Sequence, residues 1–217
     1  TLIFIIFFIV VAIVLFINLA PQFGSNPSSE QKVFYDSFPN YSKGGFENFE
    51  ATPMMTGEIS TWDFFKEDSS RKPTSAILPK SINFDSFAKN NSDYRLAWLG
   101  HSAFLINVMG KIILLDPMLG SHAAPIPLSN LKRFNEVLPI NLDSVDRIDF
   151  VVISHDHYDH LDYSTIKLLK DKVSKFLAPH GIGNHLKKWG VKSNQIIELN
   201  WNESFNAEKI EFHCLPS

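Results

Sequence analysis

The chain opens on an unbroken apolar run. TLIFIIFFIVVAIVLFINLA carries no charge, and Asn18 is its only strongly polar residue. Twenty residues of helix rise about 30 Å, roughly the hydrocarbon thickness of a bilayer. A run apolar all round at that length predicts a single-pass transmembrane anchor over residues 1–20 rather than a buried core helix. A cleavable signal peptide would have an apolar region of only about 7–15 residues and a small-x-small site, which FINLAPQFG does not offer. The chain starts with Thr rather than Met, so its N-terminus, with any flanking positive charges, is expected to lie outside the sequence, and the rule that orients a span by such charges cannot be applied. The first charges after the run, Glu30, Lys32 and Asp36, form no basic cluster. The expectation is therefore an exported domain, periplasmic or extracellular.

Past residue 20 the pattern changes twice. PQFGSNPSSEQK is rich in Pro, Gly and Ser and reads as a linker. Residues 21–93 as a whole read as linker and irregular arm, with one short helix around residues 59–66. The arm's Phe and Trp side chains need cover, so it is expected to pack on the domain that follows. From Tyr94 the periodicity becomes regular: YRLAWLG, AFLINV and KIILLD read as strands, with MG as a tight turn between the last two. A loop of about thirty residues follows, long enough to suggest a function. IDFVVIS is a short β-branched run and predicts a strand buried on both faces. DYSTIKLLKDK predicts a helix capped by Asp162, KFLAP a strand, and IGNHLKKWG a helix closed by Gly190. QIIEL and KIEFHCL read as the last strands. Strands first, then strand–helix alternation, predict an α/β sandwich over residues 94–217.

Composition narrows the function classes. A net charge of -3, without a basic stripe interleaved with aromatics, gives no sign of nucleic-acid binding. With 45% hydrophobic residues the chain can bury a substantial core. A single cysteine, Cys214, excludes an internal disulfide and a CxxC-type metal site.

The chemistry concentrates in VVISHDHYDHLDY, residues 151–163. His155 and His157 are two apart, so on extended chain their rings leave the same side and can share an ion. Asp159 and His160 come after a bend and can turn toward a second ion. Imidazole nitrogen and carboxylate oxygen suit zinc, and iron or manganese can use them too. A histidine-rich loop directly after a buried strand lies where α/β proteins place their sites. The motif reads as a metal site.

SHDHYDH and the strand-end ILLDP at 113–117 resemble the metallo-β-lactamase superfamily signature. Together with WLGHSAFLI, ILLDPMLG, LKRF and IIELNW they look most like the N-acyl-phosphatidylethanolamine-hydrolysing phospholipase D branch, over roughly residues 40–217. The L-ascorbate-6-phosphate lactonase group is similar but more distant. The resemblance implies a metallo-β-lactamase-type αββα sandwich with a binuclear, usually two-Zn2+, site at one edge. His155 and His157 would hold the first metal, and Asp159 and His160 the second. Asp159 would also orient the attacking water. The remaining family ligands, a bridging aspartate and two histidines, are expected beyond residue 217, where the chain stops at CLPS. The implied reaction is metal-assisted hydrolysis by a metal-bound hydroxide, of phosphoric diester hydrolase type, on a lipid-like substrate at a membrane. Lactone or β-lactam hydrolysis, and a non-catalytic metal-binding protein, remain alternatives.

Weaker candidates surround the motif. Asp116 ends an apolar strand, where a carboxylate is costly without a partner, and is expected to hold a ligand histidine by its second nitrogen. His101 in LGHSAF has a vaguer supporting role. Tyr158 is a possible pocket residue. Met118, Leu119, Ile126 and Leu128 could receive acyl chains if their loop borders the site. His122, Lys132 and Arg133 in the same loop could meet a phosphate. His213 is a minor candidate ligand, read chiefly as a strand-face residue.

Overall fold

The computed structural model describes residues 2–50, 52, 73–75, 77–89, 94–135 and 137–216. The short helix expected at 59–66 lies outside the described residues. The apolar run forms helix α1 (Leu2–Leu19), none of whose residues is buried. It is long and apolar enough to cross a membrane.

The segment read as a linker is corrected by the structure. Pro21–Phe23 makes a 3-10 turn, and Ser29–Tyr35 forms helix α2. The physical reason is a capping box: the Ser28 hydroxyl accepts from the Gln31 amide at 3.2 Å, and the Gln31 side chain accepts from the Ser28 amide at 2.9 Å. Strands β1 (Tyr41–Ser42) and β2 (Gly45–Phe46) then close a tight hairpin. Its central residues, Lys43 and Gly44, both have positive φ, as a twist-matched two-residue turn requires. Tyr35, Tyr41 and Phe46 pack ring to ring here, 4.9–5.5 Å between centroids. The arm is also tied to the domain by reciprocal amide bonds between Asn40 and Asn200, at 3.0 and 3.1 Å.

The domain is built on one six-stranded mixed sheet: β3 (Arg95–Gly100), β4 (Ala103–Val108), β5 (Lys111–Leu115), β6 (Ile148–Val152), β7 (Val173–Pro179) and β8 (Ile196–Leu199), paired in sequence order. The first three are antiparallel and the last four mutually parallel. Helix α3 (Phe84–Ala88) precedes the sheet, while α4 (Tyr163–Leu169) and α5 (Ile182–Lys188) make the crossovers from β6 to β7 and from β7 to β8. The helices bury Phe84, Ile166, Leu169 and Leu186 against Leu105, Val151 and Phe176 of the sheet. Each such side chain, fully buried, contributes about 1.5–3 kcal/mol.

The other face is covered by a hairpin of β9 (Ser204–Ala207) and β10 (Ile210–His213), whose Phe205 and Phe212 pack on Ile113, Phe150 and Leu177. β9 was not expected, because SFNA shows only one large apolar residue. The order of layers, helices then sheet then a second set of strands, agrees with the αββα expectation. β6 is buried from both sides, as its sequence implied.

Candidate metal centre

The site forms where β5 and β6 end side by side. Their parallel register pairs Leu115 with Val152, so Asp116 lies against the first residues after β6. Asp116 is 5% exposed and has φ +40°. A buried carboxylate needs donors, and this one has three. The Ser154 amide donates at 2.7 Å, the Ser154 hydroxyl at 2.7 Å and His160 Nδ1 at 2.9 Å. Because the carboxylate can only accept, Nδ1 of His160 carries the proton here, and in the neutral ring that leaves Nε2 with the free lone pair.

Around it the motif folds into a tight group of rings. Nε2 of His155 and Nδ1 of His157 are 3.0 Å apart, and the His155 and His160 ring centroids 4.0 Å apart. The Ser154 hydroxyl lies 2.9 Å from His155 Nδ1. Burial, and then the nearness of His160 and His157, holds the His155 pKa below the ordinary imidazole value. Its ring therefore remains neutral, the form that ligates metals.

Asp159 faces the second side of the group. His101 Nε2 is 2.8 Å from Asp159 Oδ2, and His160 Nε2 is 3.8 Å from the same oxygen. One donor atom each of His101, Asp159 and His160 lies within 4.8 Å of the others. Partial burial pushes the Asp159 carboxyl up. The hydrogen bond from His101, its own backbone amide and the nearby His160 outweigh that and bring its pKa below the usual value. His101 reaches this position from the β3–β4 turn, where Gly100 and His101 both have positive φ. Trp98 Nε1 holds the His101 carbonyl at 2.7 Å.

The donors at hand, imidazole nitrogens and one carboxylate in reach of one another, suit zinc, iron or manganese. The four motif residues come together, and His101 joins them more closely than its vague sequence role implied. Ser154 was missed. Its signal was its register: a hydroxyl two residues past β6, level with the strand-end Asp116.

Two cavities adjoin His155. One, of about 460 Å³, has Ser25, Tyr41, Asp156, His180 and Trp201 in its walls. The other, of about 660 Å³, is more apolar, with Leu177, Leu199, Phe212 and His213. His213 lies on the exposed side of β10 and its Nε2 meets Glu211 at 3.3 Å. The arm's share in the first cavity had no local signal, because its partners are more than a hundred residues away.

Two pocket expectations need correction. Met118 and Leu119 are 3% and 6% exposed, and the Leu119 amide is tied to the Thr165 hydroxyl at 3.0 Å. They are core residues and line neither cavity, since the strand-end turn at Asp116 sends them inward. Tyr158 also lines neither. Burial, then the Asp162 carboxylate, pushes its phenol up to about 12, and it hydrogen-bonds the Tyr163 backbone. Ile126 and Leu128 are exposed. Ser121 Oγ contacts His122 Nδ1 at 2.9 Å, the backbones of His122 and Lys132 pair as an isolated antiparallel bridge, and Arg133 donates to the Met118 carbonyl at 3.3 Å.

Residues 111–217 match the family model described as "Beta-lactamase superfamily domain". An uncharacterized protein of Mycobacterium tuberculosis is 32% identical over 200 residues, 89% of this chain and 53% of that protein. The N-acyl-phosphatidylethanolamine-hydrolyzing phospholipase D 1 of Caenorhabditis elegans is 33% identical over 159 residues, 69% of this chain and 44% of that protein. A UPF0173 metal-dependent hydrolase of Saccharolobus solfataricus is 32% identical over 109 residues, 49% of this chain and 42% of that protein. The chain spans about half the length of the curated relatives it matches.

Proposed function

From the premise that the chain carries a domain of the metallo-β-lactamase superfamily, we propose that it is a membrane-anchored, metal-dependent hydrolase of phosphoric diesters. Its substrates are lipids of the N-acyl-phosphatidylethanolamine kind, and its metal is zinc, two ions per site. The observation that carries the metal reading is the Asp116–His160 contact at 2.9 Å. It fixes the ring's proton on Nδ1 and aims the bare Nε2 into the group of rings, the usual way a carboxylate prepares a histidine for a metal. His155 and His157 would hold one ion, and Asp159 and His160 the other.

Such ions supply Lewis acidity and make a nucleophile of water near neutral pH. The chain's own residues do the rest. His101 holds one oxygen of Asp159 at 2.8 Å, leaving the other to orient water. Ser154 braces Asp116 by its backbone and its hydroxyl together. Burial and the neighbouring rings keep His155 neutral. The phosphodiester reading is supported by the similarity to the nematode phospholipase D. α1 would keep the site at the bilayer where such lipids are found.

The test is metal content by elemental mass spectrometry on the full-length, detergent-purified, zinc-reconstituted protein, which includes the ligands expected beyond residue 217, beside His157→Ala. About two metals per chain, falling in the variant, is expected. Little metal in the wild type would sink the reading. Turnover of N-acyl-phosphatidylethanolamine against nitrocefin then separates diester from β-lactam hydrolysis.

A further inference from the structure

Three side chains at the end of α5 grip the stretch that follows the membrane helix. Lys188 Nζ donates to the Gly24 carbonyl at 2.6 Å, and Trp189 Nε1 to the Pro21 carbonyl at 2.7 Å. His185 Nδ1 accepts from the Ser25 amide at 3.0 Å. Burial first, and then the Lys188 charge, hold the His185 pKa low against the pull of Asp156 and Glu198, so Nδ1 is a bare acceptor at neutral pH. One step further on, Gln31 donates to Asn184 at 2.8 Å. Only glycine fits at position 24: its φ is +69°, and a Cβ there would fall on the His185 ring.

The strapped residues are also part of the site's surroundings. Ser25, Asn26 and Pro27 form one wall of the 460 Å³ cavity that reaches His155 and Asp156. α1 ends at Leu19, and the six residues from there to Ser25 can span at most about 20 Å. The wall of the cavity therefore lies close to the polar edge of any bilayer that holds α1.

We propose that the strap of Pro21–Ser25 on α5 is a positioning device, with Lys188 and Gly24 as its determinants. It sets the cavity at the lipid surface, so that the site takes amphiphilic substrates head-first from the bilayer that anchors it rather than from solution. The inference rests on the hydrolase reading above and on α1 spanning that bilayer.

The experiment compares the wild type with Gly24→Ala and Lys188→Met, each reconstituted with its membrane helix into phosphatidylcholine vesicles. Lys188 is exposed, and Gly24, though buried, lies against His185 rather than against the core side chains on the sheet, so neither change opens the sheet. Turnover is measured on N-acyl-phosphatidylethanolamine in the same vesicles and on soluble bis(p-nitrophenyl) phosphate. Amide hydrogen exchange over residues 21–28 reports the strap itself. Expected are faster exchange in both variants and at least about tenfold slower lipid turnover, because the site loses its high effective concentration at the surface. Turnover of the soluble diester is unchanged. Loosened amides with undiminished lipid turnover would overturn the inference and leave the hydrolase standing. So would equal loss on both substrates, or exchange no faster than in the wild type. No turnover of either diester by the wild type would remove the hydrolase reading, and this inference with it.

Discussion

Asp116 shows how much one residue can organise. It takes the Ser154 amide, the Ser154 hydroxyl and His160 Nδ1 at once. Asp116→Asn would present an NH2 to groups that now donate, turning the His160 tautomer and leaving a buried donor unmatched. Metal affinity is expected to fall about 10- to 100-fold, measured by competition with a chromophoric chelator. Unchanged affinity would mean that the contact does not serve a metal. At this scale the sequence was informative wherever the chemistry is local. His155, His157, Asp159 and His160 lie within six positions, and their spacing alone brings them together. The His101–Asp159 contact was not legible. Its partners are 58 residues apart, and it depends on a positive-φ turn that no side-chain pattern announces.

Helix α4 illustrates the next scale. Asp162 is 1% exposed, and its carboxylate accepts from the Ser164 and Thr165 amides at the helix start and from the Gly120 amide in the loop after β5. The cap thus joins the helix to the segment that leaves Asp116. Asp162→Ala removes a helix cap, worth about 1 kcal/mol, and strands buried donors at about 1–3 kcal/mol each. A loss of at least about 2 kcal/mol is expected in urea unfolding; a loss under half of that would contradict the role. Gly120→Ala should act in the same direction, since its Cβ would lie 2.7 Å from both Asp162 Oδ2 and Ser164 Oγ. The Asp162 cap was visible in DYSTIKLL because apolar spacing follows it. The equally good capping box at Ser28 was overlooked, for SSEQKVFY sits in a Pro- and Ser-rich stretch and buries only Tyr35. β9 escaped for a related reason: its inward residues, Phe205 and Ala207, are too few to show alternation.

At the scale of the molecule, two half-buried histidines, His180 and His185, hold the arm and the strap, and burial sets both below the usual imidazole pKa. Above pH about 6.5 both are neutral whether the chain is folded or not. As pH falls below that value the unfolded chain takes up protons that the folded one resists. Stability is therefore full above the unfolded pKa and is lost as pH falls toward the depressed folded values. Thermal midpoints measured between neutral pH and pH 5 should fall with acidification, and a flat profile would mean that neither ring is held neutral. The α/β class could be read from the sequence because each strand carries its own apolar run. The arm's place could not, since it depends on Asn200, His180 and α5, far along the chain. The order of the main sheet has a further consequence. Each strand from β4 to β8 pairs with the strand made just before it, so a ribosome can deliver the sheet one strand at a time without any edge waiting for a distant partner. The strap is the exception. Residues 21–25 leave the ribosome early, yet their partners on α5 arrive some 160 positions later. During synthesis the nascent domain trails from α1 on a loose tether, and the two take up their final arrangement only when α5 is complete. Chains arrested before residue 182 should therefore show fast amide exchange over residues 21–25, and chains arrested well past residue 190 should not.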